Sequence, residues 1–225
     1  MAPPELSHSS RSRLTSRLSH LFPSESLFDR LARVVCEAEC LPRKELFEAW
    51  EMARRVRRTL RGGRVVDLAA GHGLLAWALL LLDDTSQQAL CVDRRRPASA
   101  ERLAQSLVAR WPRLEGRVEY VEEDLAKVEL GPEDLVVSAH ACGSLTDRIL
   151  EQAVKARARV AVLPCCHHVG ERERKREPLE GWLAPDLAQD IARAHGLQAA
   201  GYRVRALAIP GEITPKNRLL IGEPE

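Results

Sequence analysis

Short apolar runs alternate with amphipathic stretches along most of the chain. From Arg64 onward the runs lie near 64–68, 88–93, 117–122, 134–140, 159–164, 201–209 and 217–222. Runs that are apolar throughout fit strands buried on both faces, and the amphipathic intervals fit helices covering them. The pattern therefore predicts an α/β fold built on a seven-stranded, mostly parallel, doubly wound sheet over 63–225. Ahead of it, Ser24 can cap a helix reaching about Cys40, with Leu27, Phe28, Leu31, Val34 and Val35 on one stripe. Pro42 suits the first turn of a second helix carrying Leu46, Phe47, Trp50 and Met52. These two helices make a helical extension over 24–62, and residues 1–23 read as a flexible arm.

The strand near 64–68 runs into Asp67-Leu68-Ala69-Ala70-Gly71-His72-Gly73-Leu74-Leu75. Gly71 and Gly73 lack a Cβ, so the chain can turn sharply there and come close to a ligand. The helix that follows aims its free N–H groups at the same place. The spacing acid-x-small-x-Gly-x-Gly resembles the first motif of class I S-adenosylmethionine-dependent methyltransferases, whose Rossmann-like sheet ends in an antiparallel hairpin strand. The two closely spaced final runs, with Gly211 between them, agree with such a hairpin. The resemblance implies S-adenosylmethionine as cofactor, with Ala69, Gly71 and Gly73 forming its cradle. The same residues also satisfy a dinucleotide fingerprint, because Ala76 follows Gly73 by three places and Asp93 by twenty. Against a dehydrogenase, Asp67 closes the strand and three residues intervene before the first glycine.

Ligands of a doubly wound sheet gather beyond the carboxyl ends of its strands, so the residues ending each strand are informative. Asp67 is placed to anchor the methionine amine or to hold the loop itself. Asp93 is placed for the two ribose hydroxyls of an adenosine. Asp124 matches the methyltransferase acid that meets the adenine amino group, with Leu125 stacking beside it, and Glu122 or Glu123 is the alternative one register away. His72 is expected to expose its ring.

Composition narrows the class further. The chain has 225 residues, 45% hydrophobic and 29% charged, which fits one globular α/β domain with an extension. No apolar run approaches the roughly 20 residues that a membrane span needs. Six cysteines dispersed through a conventional core suit a reducing cytoplasm better than a disulfide framework, although Arg11, Arg13 and Arg17 among serines loosely match an organellar presequence. Cys36 and Cys40, one helical turn apart, read as packing residues. A net charge of +2 does not announce nucleic acid by itself. Its distribution does more, because Arg54, Arg55, Arg57, Arg58, Arg61 and Arg64 fall in one stretch without an acid, a candidate phosphate-binding stripe or a solvated face. The mixed-charge patch Glu171 to Glu177 reads as surface.

The most distinctive segments end the fourth and fifth strands: Ser138-Ala139-His140-Ala141-Cys142-Gly143-Ser144-Leu145-Thr146-Asp147, and Pro164-Cys165-Cys166-His167-His168. If the strands are neighbours, their ends gather histidines and cysteines beside the transferring methyl group. His140, Cys142, Gly143, Thr146 and Asp147, then Cys165, Cys166, His167 and His168, resemble paired blocks of the catalytic domain of the tRNA acceptor-stem ribose 2′-O-methyltransferases. Ile213-Thr214-Pro215-Lys216-Asn217-Arg218 is similar to that family's closing hairpin. The zinc-finger modules that precede the family's catalytic domain are missing, so the resemblance implies an RNA acceptor without fixing it as tRNA. Imidazoles suit proton removal near neutral pH, which makes His140 or His167 the candidate base or acceptor-positioning group. His140 would also border the cofactor. The cysteines are expected to pack, the adjacent pairs make a metal site unfavourable, and Ser144 with Asp147 resembles a capping box. The leading expectation is a methyltransferase acting on RNA. A small-molecule or protein methyltransferase, a non-catalytic cofactor-binding subunit and, last, a dehydrogenase are the alternatives.

Overall fold

The computed structural model describes residues 7–164 and 182–225. Seven strands form one sheet: β1 (Val65–Leu68), β2 (Ala89–Asp93), β3 (Val118–Glu122), β4 (Leu135–Ser138), β5 (Arg159–Val162), β6 (Tyr202–Ala208) and β7 (Arg218–Pro224). Their order is β3-β2-β1-β4-β5-β7-β6, with the first five parallel. β7 runs antiparallel to both β5 and β6. That insertion separates the fold from a dinucleotide-binding sheet, where the strand beside the fifth continues the parallel order.

Alternation along the strands divides the core in two. Val65, Cys91, Leu135, Val137, Ala161 and Ile221 face a cluster shared with the helices α1 (Leu27–Ala38), α2 (Arg43–Thr59), α3 (Leu74–Leu82) and α4 (Ala100–Arg110). Val66, Leu68, Val136, Val160, Val162 and Leu220 face α5 (Ser144–Ala156) and α6 (Pro185–Ala199). The amino-terminal helices are thus one layer of the main core. Met52 and Val56 of α2 are fully buried beside Leu79 and Leu80 of α3, and α1 packs on α4.

Two boundaries differ from the sequence reading. Ser26, not Ser24, caps α1: its hydroxyl accepts the Asp29 N–H at 3.1 Å, while Ser24 N–H donates to the Asp29 carboxylate. The expected flexible arm is packed from Ser7 onward. Leu14 and Phe22 are buried, Leu14 N–H donates to Leu41 O, and Lys44 N–H donates to Ser10 O. Two apolar side chains and a short ladder against the α1–α2 connection fix a segment whose serines and arginines suggested disorder.

Candidate active site at the carboxyl edge of the sheet

The loop after β1 turns through three left-handed residues within five positions. Ala69, Gly71 and Gly73 all adopt left-handed conformations, with φ of 61°, 54° and 75°. For Ala69 this is strained, and loop contacts hold it there. Ala70 N–H donates to Val92 O, Gly71 N–H donates to Asp93 Oδ2 at 2.9 Å, and Tyr120 Oη donates to Gly71 O at 2.7 Å. A Cβ on Gly73 would lie 2.8 Å from Cys91 Sγ, so this glycine is required by close packing on β2. A Cβ on Gly71 would meet nothing within 4 Å, because this glycine borders open space. His72 is not exposed as expected: its ring is half-buried, with Nε2 2.8 Å from Ser99 Oγ, and burial lowers its pKa.

Two cavities meet at Ala69 and Asp93. One, of about 330 Å³, is lined by Val92, Arg94, Glu123, Leu125, Cys142, Ser144, Leu145 and Arg148. The other, of about 360 Å³, extends past Asp67, Gly71 and Leu74 to Ala139 and His140, and is roofed by Leu41, Glu45 and Ala49 from the α2 side. Asp67, Ala69, Gly71, Asp93, Leu125 and His140 are therefore brought together. Gly73 stands behind the cradle as the residue preceding α3. Asp124 is not part of the lining. β3 stops at Glu122 and the chain turns, so Asp124 caps that turn by accepting Ala126 N–H at 2.9 Å and pairs with Arg94 and Arg148. Glu123, the alternative one register away, takes its place in the cavity wall.

Asp67 is the most perturbed group here. Its side chain is wholly buried, Oδ2 has no hydrogen-bond partner, and burial pushes the carboxyl up to about 8. An unsatisfied buried carboxylate oxygen is costly unless a ligand completes it. With the open space at Gly71, it fits a cationic amine lodged between β1 and the loop. The residues present thus suit the amino-acid end of S-adenosylmethionine, and the cavity beyond Asp93 suits its nucleoside end.

β4 and β5 are neighbours, as the paired His/Cys segments require. β4 ends at Ser138, so His140 lies two residues past the ladder, half-exposed. The residues after it build a scaffold. Thr146 Oγ1 donates to Ala141 O at 2.7 Å, and the buried Arg193 donates to Gly143 O and pairs with Asp147 through Nε at 2.6 Å. The capping box does not form, because Gly143 with φ 59° precedes α5 and Asp147 is taken by Arg193. Cys142 is exposed on the cavity wall and not packed inside as expected. Cys165, Cys166, His167 and His168 lie outside the described residues. Among the described residues, no group of three or more His, Cys, Asp or Glu could hold a metal ion, and no helix is long and apolar enough to cross a membrane.

The arginine stretch changes most. Arg57 is buried: it pairs with Asp83 at 3.2 Å and donates to Ser86 Oγ and Leu79 O. Arg54 and Arg55 pair with Glu51, and Arg64 pairs with Asp134. Arg58 and Arg61 are exposed, beside the amino end of β1, on the edge opposite the cavities. The acids come from one turn earlier on the same helix for Arg54 and Arg55 and from distant parts of the chain for Arg57 and Arg64.

Sequence reasoning missed Glu45 and Glu48. Glu48 is buried on α2, and Lys44 Nζ donates to its Oε1 at 2.6 Å. The available signal was spacing: Glu48 precedes the core residue Met52 by one turn and Val56 by two.

The profile of a methyltransferase-domain family matches residues 45–172. No curated protein matches the sequence. Among solved structures, mitomycin 7-O-methyltransferase MmcR is 19% identical over 94% of this chain and 61% of its own, with a TM-score of 0.54. The pyocyanin biosynthetic protein PhzM is 19% identical over 88% of this chain and 58% of its own, at 0.52. Ribosomal protein L11 methylase from Lactobacillus delbrueckii subsp. bulgaricus is 14% identical over 81% and 78%, at 0.51. At these identities the likeness is one of fold.

Proposed function

From a chain that belongs to the methyltransferase-domain family and takes its methyl group from S-adenosylmethionine, we propose that the acceptor is a hydroxyl of an RNA. The observation that carries this reading is the cationic rim of the double cavity. Arg94 and Arg95 follow Asp93 directly and are exposed, Arg148 lines the wall and shares the single carboxylate of Asp124 with Arg94, and Arg13 lies close enough to His72 to disfavour its charged form. Such a rim suits a phosphate backbone, which positions a nucleic acid without reading its bases. The resemblance of the His140–Asp147 block to the tRNA acceptor-stem 2′-O-methyltransferases supports the same acceptor.

In this reading Asp67 holds the methionine amine, Asp93 the ribose hydroxyls, and Leu125 with Glu123 the adenine side. The cofactor supplies an activated methyl group, so the protein's work is alignment and proton removal. His140 faces the acceptor side and takes the proton. The buried thiols of Cys36, Cys40 and Cys91, none of them in a disulfide, fit a reducing cytoplasm. A small-molecule acceptor is the second reading, favoured by the part of the 360 Å³ cavity that continues past the Asp67 amine site to Ala139 and His140.

Incubation with tritiated S-adenosylmethionine and total RNA, followed by nucleoside analysis, tests the proposal. Label is expected in ribose-methylated nucleosides. Label confined to protein or to small molecules would overturn the RNA acceptor.

A further inference from the structure

Next to the cavity roof of Leu41, Glu45 and Ala49, on the same helix, lies a buried acid that cofactor binding does not use. Glu48 is almost fully buried, and only one of its carboxylate oxygens is occupied, by Lys44. The other, Oε2, has no hydrogen-bond partner and stands 3.9 Å from His140 Nε2. That separation is too long for a hydrogen bond and short enough for a small ring rotation to make one. Catalytic hydrogen bonds are often long before the reactants are in place. Glu45, one turn earlier, lines the same cavity, so the first turns of α2 face the end of β4.

We propose that Glu48 is a positioning residue for His140: it accepts the Nε2–H and so fixes the ring with its lone pair on Nδ1. This rests on the hydroxyl-acceptor reading above. The acceptor O–H proton passes to Nδ1, and the oxygen forms a bond to the methyl carbon. The carbon–sulfur bond breaks with its electron pair left on sulfur. The imidazolium, held against the Glu48 carboxylate, then releases its proton to solvent. A carboxylate behind an imidazole selects the tautomer and stabilises the charge formed in the step. Without a reaction that charges His140, a half-satisfied carboxylate at this depth only costs stability.

The test uses the full chain with Glu48→Gln, which keeps volume and removes charge, and Glu48→Met, which cannot accept a hydrogen bond. S-adenosylhomocysteine affinity within about twofold of wild type shows an intact pocket in either variant. We expect kcat on RNA to fall on the order of tenfold to a hundredfold, with the KM for RNA unchanged. The ring nitrogen-15 spectrum of His140 should show the Nε2–H tautomer in the wild type and a mixture in Glu48→Met. Wild-type kcat in both variants, or an unchanged tautomer in Glu48→Met, overturns the assignment. The spectrum is read without any acceptor, so if the wild-type chain labels no RNA, the acceptor reading fails while the role of Glu48 is still decided.

Discussion

The two ends of α2 carry opposite charge and meet opposite fates. At its carboxyl end Arg57 is as buried as any core residue, yet every guanidinium nitrogen has a partner among Asp83, Ser86, Leu79 and Leu60. At its amino end Glu48 is equally buried and keeps one oxygen without a partner, next to a histidine on a cavity wall. The same helix thus holds one ion pair that is closed and one that is open. A closed buried pair is part of the architecture, because losing a member strands the other charge. An open one is compatible with a proton or a ligand arriving later. Burial alone does not separate the two; whether each polar atom is satisfied does.

The sharpest way to break this comparison is Arg57→Ala. It leaves Asp83 buried beside the distant Arg61, and the unfolding free energy should drop by about 3–5 kcal/mol in urea titrations. Cofactor affinity should be retained wherever the variant is folded. A drop below about 1 kcal/mol, or a loss of RNA affinity at unchanged stability, would return Arg57 to the surface role its sequence suggested.

Asp67 gives the next largest effect and extends the comparison to the sheet. Burial holds its folded pKa near 8, far above the unfolded value of 3.8, so between those values the folded chain carries a proton that the unfolded chain lacks. Ligand-free stability should therefore decline as pH rises through this window. A cationic amine needs the ionised carboxylate, so cofactor affinity should rise with pH up to about 8, by at most about tenfold per unit, with proton release on binding. Isothermal titration in buffers of different ionisation enthalpy measures both. Asp67→Asn should bind weakly and lose the pH dependence; a pH-independent wild type would remove Asp67 from the amine site.

Legibility in the sequence followed the range of the interactions. All seven strands were readable, five as apolar runs bounded by turns and β3 and β6 as stretches where apolar and charged residues alternate, and Asp67, Gly71 and Asp93 were readable because strand and loop are contiguous. His140 was placed at a strand end, but β4 stops at Ser138, where its ladder with β5 stops, and that pairing is not local. Asp124 slipped out of the pocket for a similar reason, since one residue of register turns a wall residue into a cap. The arginines misled because Asp83, the partner of Arg57, lies beyond β1 and α3, Asp134, the partner of Arg64, lies beyond β3, and Glu51, the partner of Arg54 and Arg55, stands one turn before the stretch. Glu48 was hidden by its neighbours: among Arg43, Lys44, Glu45 and Glu51 it looks like one more solvated charge, and only the turn-by-turn alignment with Met52 and Val56 marks it as buried.

The smallest expected effect tests which arginines meet RNA. The exposed pair Arg58 and Arg61 sits at the amino edge of the sheet, whereas Arg94 and Arg95 rise from the carboxyl edge that holds the cavities. α2 has 17 residues, so roughly 25 Å of helix separates the two edges. Replacing Arg94 and Arg95 by Ala should weaken RNA binding several-fold and flatten the slope of log K against log salt by on the order of one unit for each phosphate no longer neutralised. Replacing Arg58 and Arg61 should change neither quantity beyond a general charge effect, because no side chain there shares an edge with the site. Filter binding over a salt series separates the outcomes. Equal slopes for the two double variants would mean that RNA wraps past the far edge, and a loss confined to Arg58→Ala/Arg61→Ala would reverse the assignment of the two ends of α2.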